Sequence, residues 1–188
     1  VPDATAPPRG PRHKEKNMAF HEVDAHELTL RPFDAFDRGW ALLAAGDDAA
    51  SNCMTISWGG LGTLWNKPVA TAYVRQSRYT KQFLDGSDTF SVNLFDGTER
   101  PALGVLGKVS GRDGDKLAKT DLTQSPVDGT PVIDQARVIL VCRKAYVGPL
   151  APEGICDPEV ELRNYSGADA GNYHTMYVGY VEHVLVAD

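Results

Sequence analysis

Strand follows strand along this chain, with only short helices between them, and that order limits its fold more than any other feature. "GWALLAAGDDAASNCMTISW" reads as two strands around a hairpin turn at Gly46, Asp47 and Asp48. "PVATAYV" and "DTFSVNLF" are rich in β-branched and aromatic residues, as strands are. "ARVILVCRKAYVG" and "HTMYVGYVEHVLV" are longer runs of the same kind. The helical segments are brief. Pro32 suits the first turn of one that runs through Phe36. "SRYTKQFLDG" has Ser77 as its cap, Tyr79, Phe83 and Leu84 on one face, and Gly86 as its stop. "TERPALGVLGKVSG" is a second helix, capped by Thr98 and leading into the loop "SGRDGDK". This order predicts an antiparallel, mainly β barrel or sandwich and not a βαβ array.

The 188 residues suit one domain with a substantial core. Residues 1–18, with their prolines and basic groups, read as a disordered N-terminal arm, and residues 19–188 as the folded domain. The arm lacks the apolar stretch of a secretory signal. No apolar run approaches the roughly 20 residues that span a bilayer. The net charge of -6 argues against nucleic acid as a main partner, because neutralising phosphates needs a basic field. Three cysteines without a C-x-x-C pair fit a reducing cytoplasm better than a disulfide scaffold. His21 and His26 are spaced for neither a helix face nor a metal motif, so no metal site is expected. Cys53 reads as a small buried side chain. His174 reads as a structural or exposed histidine, with a place beside a ligand as the alternative.

Chemistry concentrates in "MTISWGGLGTLWNKPVATAYVRQSRYT", Met54 to Thr80. Gly59, Gly60 and Gly62 resemble part of a dinucleotide fingerprint, but no helix follows them. They are expected to form an irregular loop at a strand end. Either this is a tight turn, or the backbone there approaches something flat. Arg75 ends a strand and Arg78 begins a helix. Positive charge at a helix N-terminus is unfavourable by a few tenths of a kcal/mol or more, which an anion would offset. Two guanidiniums with the Thr80 hydroxyl therefore suit a phosphate. The alternative is a pair of solvated surface arginines.

The stretch "NCMTISWGGLGTLWNKPVATAYVRQSRYT", with "FSVNLF", "LGKVSGRDGDK", "ILVCRKAYVG" and "YHTMYVGYVEHVLV", resembles the flavin reductase-like FMN-binding proteins, the flavoredoxin group. The resemblance covers about residues 19–188. It implies an FMN-binding split β-barrel that acts as a homodimer. It implies that Asn52, Met54, Thr55, Ser57 and Trp58 lie along the isoalloxazine side. Arg75, Arg78, Tyr79 and Thr80 would lie near the ribityl chain and phosphate. Ser110 and Lys116 would approach from the second loop, with Arg112 as a lesser candidate. Lys116 beside the flavin would stabilise its anionic reduced form; the other reading is an exposed lysine. Tyr180 stands where the family often has an acidic residue, and Asn172 where it often has aspartate.

Three functions fit these residues. One is an NAD(P)H-dependent flavin reductase, with NADH or NADPH as donor and no side-chain acid or base required. Another is a flavoredoxin-like carrier passing electrons from bound FMN to a partner protein. The third is a flavin-binding module without redox work.

Overall fold

The structure is a computed structural model that describes residues 19–188, so the arm expected at residues 1–18 lies outside the described residues. The described residues open with β1 (Phe20–Glu22), a helical turn at Asp34–Arg38, β2 (Ala41–Gly46), β3 (Ser51–Ile56), β4 (Gly59–Leu64) and β5 (Lys67–Arg75). Helix α1 (Thr80–Gly86), β6 (Thr89–Leu94) and α2 (Arg100–Lys108) follow. The hairpin of β7 (Gln124–Val127) and β8 (Thr130–Ile133) precedes the long strand β9 (Val138–Pro149). Helix α3 (Pro158–Asn164) and the long strand β10 (His174–Ala187) complete the domain.

Every paired strand runs antiparallel, as the sequence predicts. The main sheet has the order β3-β2-β6-β9-β10-β5-β4, with β1 on β10. In a flat sheet β3 and β4 would stand roughly 30 Å apart. Instead, Met54 and Ile56 of β3 share one core with Ala70, Ala72 and Val74 of β5, and Leu61 of β4 packs on it. The sheet is therefore rolled around its own apolar face. All six residues of β2 are buried. Ala41, Leu43 and Ala45 point into the roll. Leu42 and Ala44 point outward, under Leu103 and Leu106 of α2 and Ile133 of β8. That two-sided burial is why β2 is a continuous apolar run with no polar alternation. No helix among the described residues is long and apolar enough to cross a membrane.

The glycine cluster is where the sequence reading fails. Gly59, Gly60 and Gly62 are not in an irregular loop but in β4, paired with β5. The turn lies beyond them at Trp65 and Asn66, with φ of 51° and 59°. Two positive φ angles are the signature of the two-residue turn whose twist matches a hairpin. The flat object near the backbone is internal: a Cβ on Gly59 would lie 2.5 Å from the Phe36 ring.

Both predicted helix caps are also wrong. Helix α1 starts at Thr80, with Tyr79 in the cap position and no side-chain cap. Ser77 is engaged elsewhere: its N–H donates to Asn172 Oδ1 at 3.2 Å and its Oγ accepts from Asn172 Nδ2 at 2.9 Å. Helix α2 has Glu99 in the cap position, because Thr98 turns back on Asp96 through its N–H and hydroxyl.

Candidate functional site

Strand β3, the end of β5, the turn into α1 and the loop after α2 converge on three adjoining clefts. The first, about 210 Å³, is walled by Thr55, Ser57, Trp58, Tyr73 and His174. The second, about 350 Å³, holds Thr80, Lys108, Ser110, Arg112, Asp169 and Asn172. The third, about 470 Å³, holds Ser51, Asn52, Cys53, Phe83 and Gln124. Met54, Arg75 and Arg78 line both the first and the second. Tyr79, Gly111 and Lys116 line both the second and the third. Each residue expected from the sequence, from Asn52 to Lys116, thus lines one of three clefts that share lining residues. Sequence reading did not name Lys108 or Asp169, which also line the second cleft, and met Asn172 only as a departure from the family's aspartate. Lys108 was findable as a cation beside "SGRDGDK"; Asp169 arrives only through the tertiary fold.

The cationic groups are held in place by the chain itself. Arg75 is mostly buried; its Nη1 donates to the carbonyls of Asn164 and Asn172 at 3.0 and 3.3 Å and lies 3.5 Å from Asp169. Arg78 is exposed, and its Nη1 donates to Gly107 O at 3.0 Å. Arg112 donates to Ser77 O at 3.1 Å and lies over the Tyr79 ring. Guanidiniums tethered this way lose little freedom when an anion arrives. Helix α1 is only seven residues long and begins two residues after Arg78, so the side chains, more than a helix end, make this cleft basic.

Lys116 is not the exposed lysine of the alternative reading: it is 5% exposed, and its Nζ donates to Leu106 O at 2.9 Å. Burial, with Arg78 nearby, holds its pKa below the ordinary lysine value, against the pull of Cys53. Cys53 is buried, and burial pushes its thiol up to about 11, so it is a protonated thiol at neutral pH.

Thr80 lines the second cleft, where it was expected, and its hydroxyl also accepts a bond within the chain, which leaves its hydrogen free to donate. It is buried, and its Oγ1 accepts from Asn52 Nδ2 at 2.7 Å. Thr80→Val leaves that amide without its partner, so the expected loss is about 1–3 kcal/mol of stability. Denaturant unfolding of the two proteins measures it; equal midpoints would show that the pair contributes nothing.

His174 is buried, its Nδ1 2.9 Å from the Tyr165 hydroxyl and its ring 4.6 Å from that of Trp58. Burial, then Arg75 and Arg78, lower its pKa from 6.5 to about 4, against a smaller opposite pull from Asp169. As pH falls, the unfolded chain therefore takes up this proton before the folded one. The neutral-histidine contribution is complete above pH 6.5 and is lost between there and about pH 4. The melting temperature should fall across that window, and fall less steeply in His174→Gln. Parallel profiles would contradict the assignment.

With this geometry in view, comparison with known proteins decides the family. The model of the flavin reductase like domain matches residues 33–188. The chain belongs to that family. A comparison with curated proteins finds no match. Among solved structures, it is similar to an FMN-binding domain of a flavin reductase-like enzyme from Shewanella baltica OS155. That pair has 15% identity, a TM-score of 0.62, and coverage of 90% of this chain and 78% of that one. The flavoredoxin of Desulfovibrio vulgaris (Miyazaki F) gives 16%, 0.61, 88% and 76% in the same order. An NADH:FAD oxidoreductase from Streptomyces globisporus C-1027 gives 18%, 0.57, 80% and 78%. Identities this low speak for the shared fold alone. The fold is that of the FMN-binding split barrels, and flavin binding is a property of the family.

Proposed function

We propose that this flavin reductase-like protein is an FMN-dependent oxidoreductase that accepts hydride from NADH or NADPH. The observation that supports this most is the join between two kinds of cleft. Arg75 and Arg78 border both the aromatic cleft of Trp58 and His174 and the basic cleft of Lys108 and Arg112. A ligand with a flat body and a phosphate tail needs both environments, joined by tethered cations. FMN fits this donor set. When bound it supplies hydride chemistry at N5; the protein supplies orientation, charge and exclusion of water.

Thr55, Ser57 and Trp58 would flank the flat body, and Arg75, Arg78, Tyr79, Ser110 and Arg112 the phosphate end. Thr80 would orient Asn52 and turn its hydroxyl hydrogen towards the phosphate end. The buried Lys116 ammonium, which lines the second and third clefts, would add positive charge beside the bound flavin. No general acid or base is assigned. The related structures bearing reductase and flavoredoxin names support the reading, and the second name keeps a rival: electron transfer to a partner protein. A homodimer and a cytoplasmic location belong to the same proposal.

Stopped-flow absorbance of the FMN-loaded protein at about 450 nm, the oxidised flavin band, separates the two. The reductase reading expects rapid bleaching with NADH or NADPH. Bleaching with dithionite but with neither nucleotide would favour the carrier.

A further inference from the structure

The basic cleft contains one acid. Asp169 ends a short turn at Gly167–Asp169 and lines the cleft together with Arg75, Arg78, Lys108 and Arg112. Its Oδ1 lies 3.5 Å from Arg75 Nη1 and accepts from Asn172 Nδ2 at 3.1 Å, and the carboxylate is half-exposed. Resting on the flavin reading above, we propose that Asp169 is a specificity-determining residue: a built-in competitor for the phosphate-binding cations that keeps FMN exchangeable.

The alternative role, positioning Arg75, is already filled without it. The guanidinium is held by the carbonyls of Asn164 and Asn172 and lies over the Tyr165 ring. Those contacts fix Arg75 without cancelling its charge. Asp169 adds a negative charge that occupies the same cation. A phosphomonoester carries about -1.5 to -2 at pH 7. Entering this cleft, it must displace the carboxylate from Arg75 or sit beside it. Either way the fixed charge weakens phosphate binding, and a ligand without phosphate does not feel it. The cleft thereby binds FMN more weakly than its cations alone would. An occupant that leaves readily serves as a carried substrate; one that stays serves as a prosthetic group.

The test uses FMN and riboflavin titrations of the full chain and of Asp169→Asn, which keeps the acceptor for Asn172 and removes the charge. The expected result is FMN binding roughly tenfold tighter in the variant, riboflavin binding unchanged, and FMN retained through gel filtration where the parent loses it. Asp169→Glu should keep the parent's weaker FMN binding, and Asp169→Ala serves if the asparagine variant melts early. Unchanged or weaker FMN binding in the variant, beside a parent that binds FMN, would overturn this inference and leave the flavin assignment standing. Equal tightening of both flavins would overturn it as well. A parent that binds neither flavin would overturn both readings.

Discussion

Arg78→Ala should bind FMN on the order of tenfold to a hundredfold more weakly than the parent and bind riboflavin about as well. On the proposed reading, the substitution removes a charge-assisted hydrogen bond to the phosphate, worth about 1.5–3 kcal/mol. The fold should survive, because Arg78 is exposed and its bond within the chain is to Gly107 O at the end of α2. The measurement is the pair of flavin dissociation constants, with thermal melts of the ligand-free proteins beside them. A loss shared equally by the two flavins would mean that Arg78 shapes the cleft and does not bind the phosphate. No loss would move the phosphate towards Lys108 and Arg112.

Gly179→Ala should cost about 1–3 kcal/mol of stability, the usual cost of overpacking a filled core. A Cβ there would lie 2.7 Å from Cys142 Cβ and 2.8 Å from the Phe90 ring, two side chains with no exposed surface. Neither neighbour has room to retreat, since β9 and β6 carry them inside the roll. At about 2–4 °C per kcal/mol for a chain of this size, the melting temperature should drop by several degrees. Calorimetry of the two proteins checks it. An unchanged melt would show that β10 can slide at its register shift between Val178 and Gly179.

The strands were legible because their signal is local. β9 and β10 are long β-branched runs, and the two strands around Gly46 are separated by an acidic turn. Antiparallel order followed from the short connections. The caps were illegible because each expected capping side chain is engaged elsewhere, Thr98 by Asp96 two residues before it and Ser77 by a tertiary partner. Ser77 has the right side chain for a cap, but Asn172, 95 residues away, takes both its hydroxyl and its N–H. Gly59, Gly60 and Gly62 suggested a loop because glycine is rare inside strands, yet Gly59 is required by the Phe36 ring and the Thr71 carbonyl, and Gly60 and Gly62 meet open space. The β4–β5 turn hid because Trp65 is an improbable residue at positive φ.

The residues expected at the site come together because they sit on neighbouring elements that a family motif can mark. Asp169 has no such mark. It belongs to the segment between α3 and β10, and its position beside Arg75 is created by the fold. Thr80 lines the cleft expected for it, while its bond to Asn52, 28 residues away, had no local signal in the sequence.

The central claim is that the joined clefts hold FMN by its phosphate as well as its ring. Fluorescence titration of the unaltered protein with FMN and with riboflavin tests it most directly. The prediction is saturable quenching by one flavin per chain, with FMN bound more tightly than riboflavin. Equal affinity for the two, or no saturable binding of FMN, would contradict it.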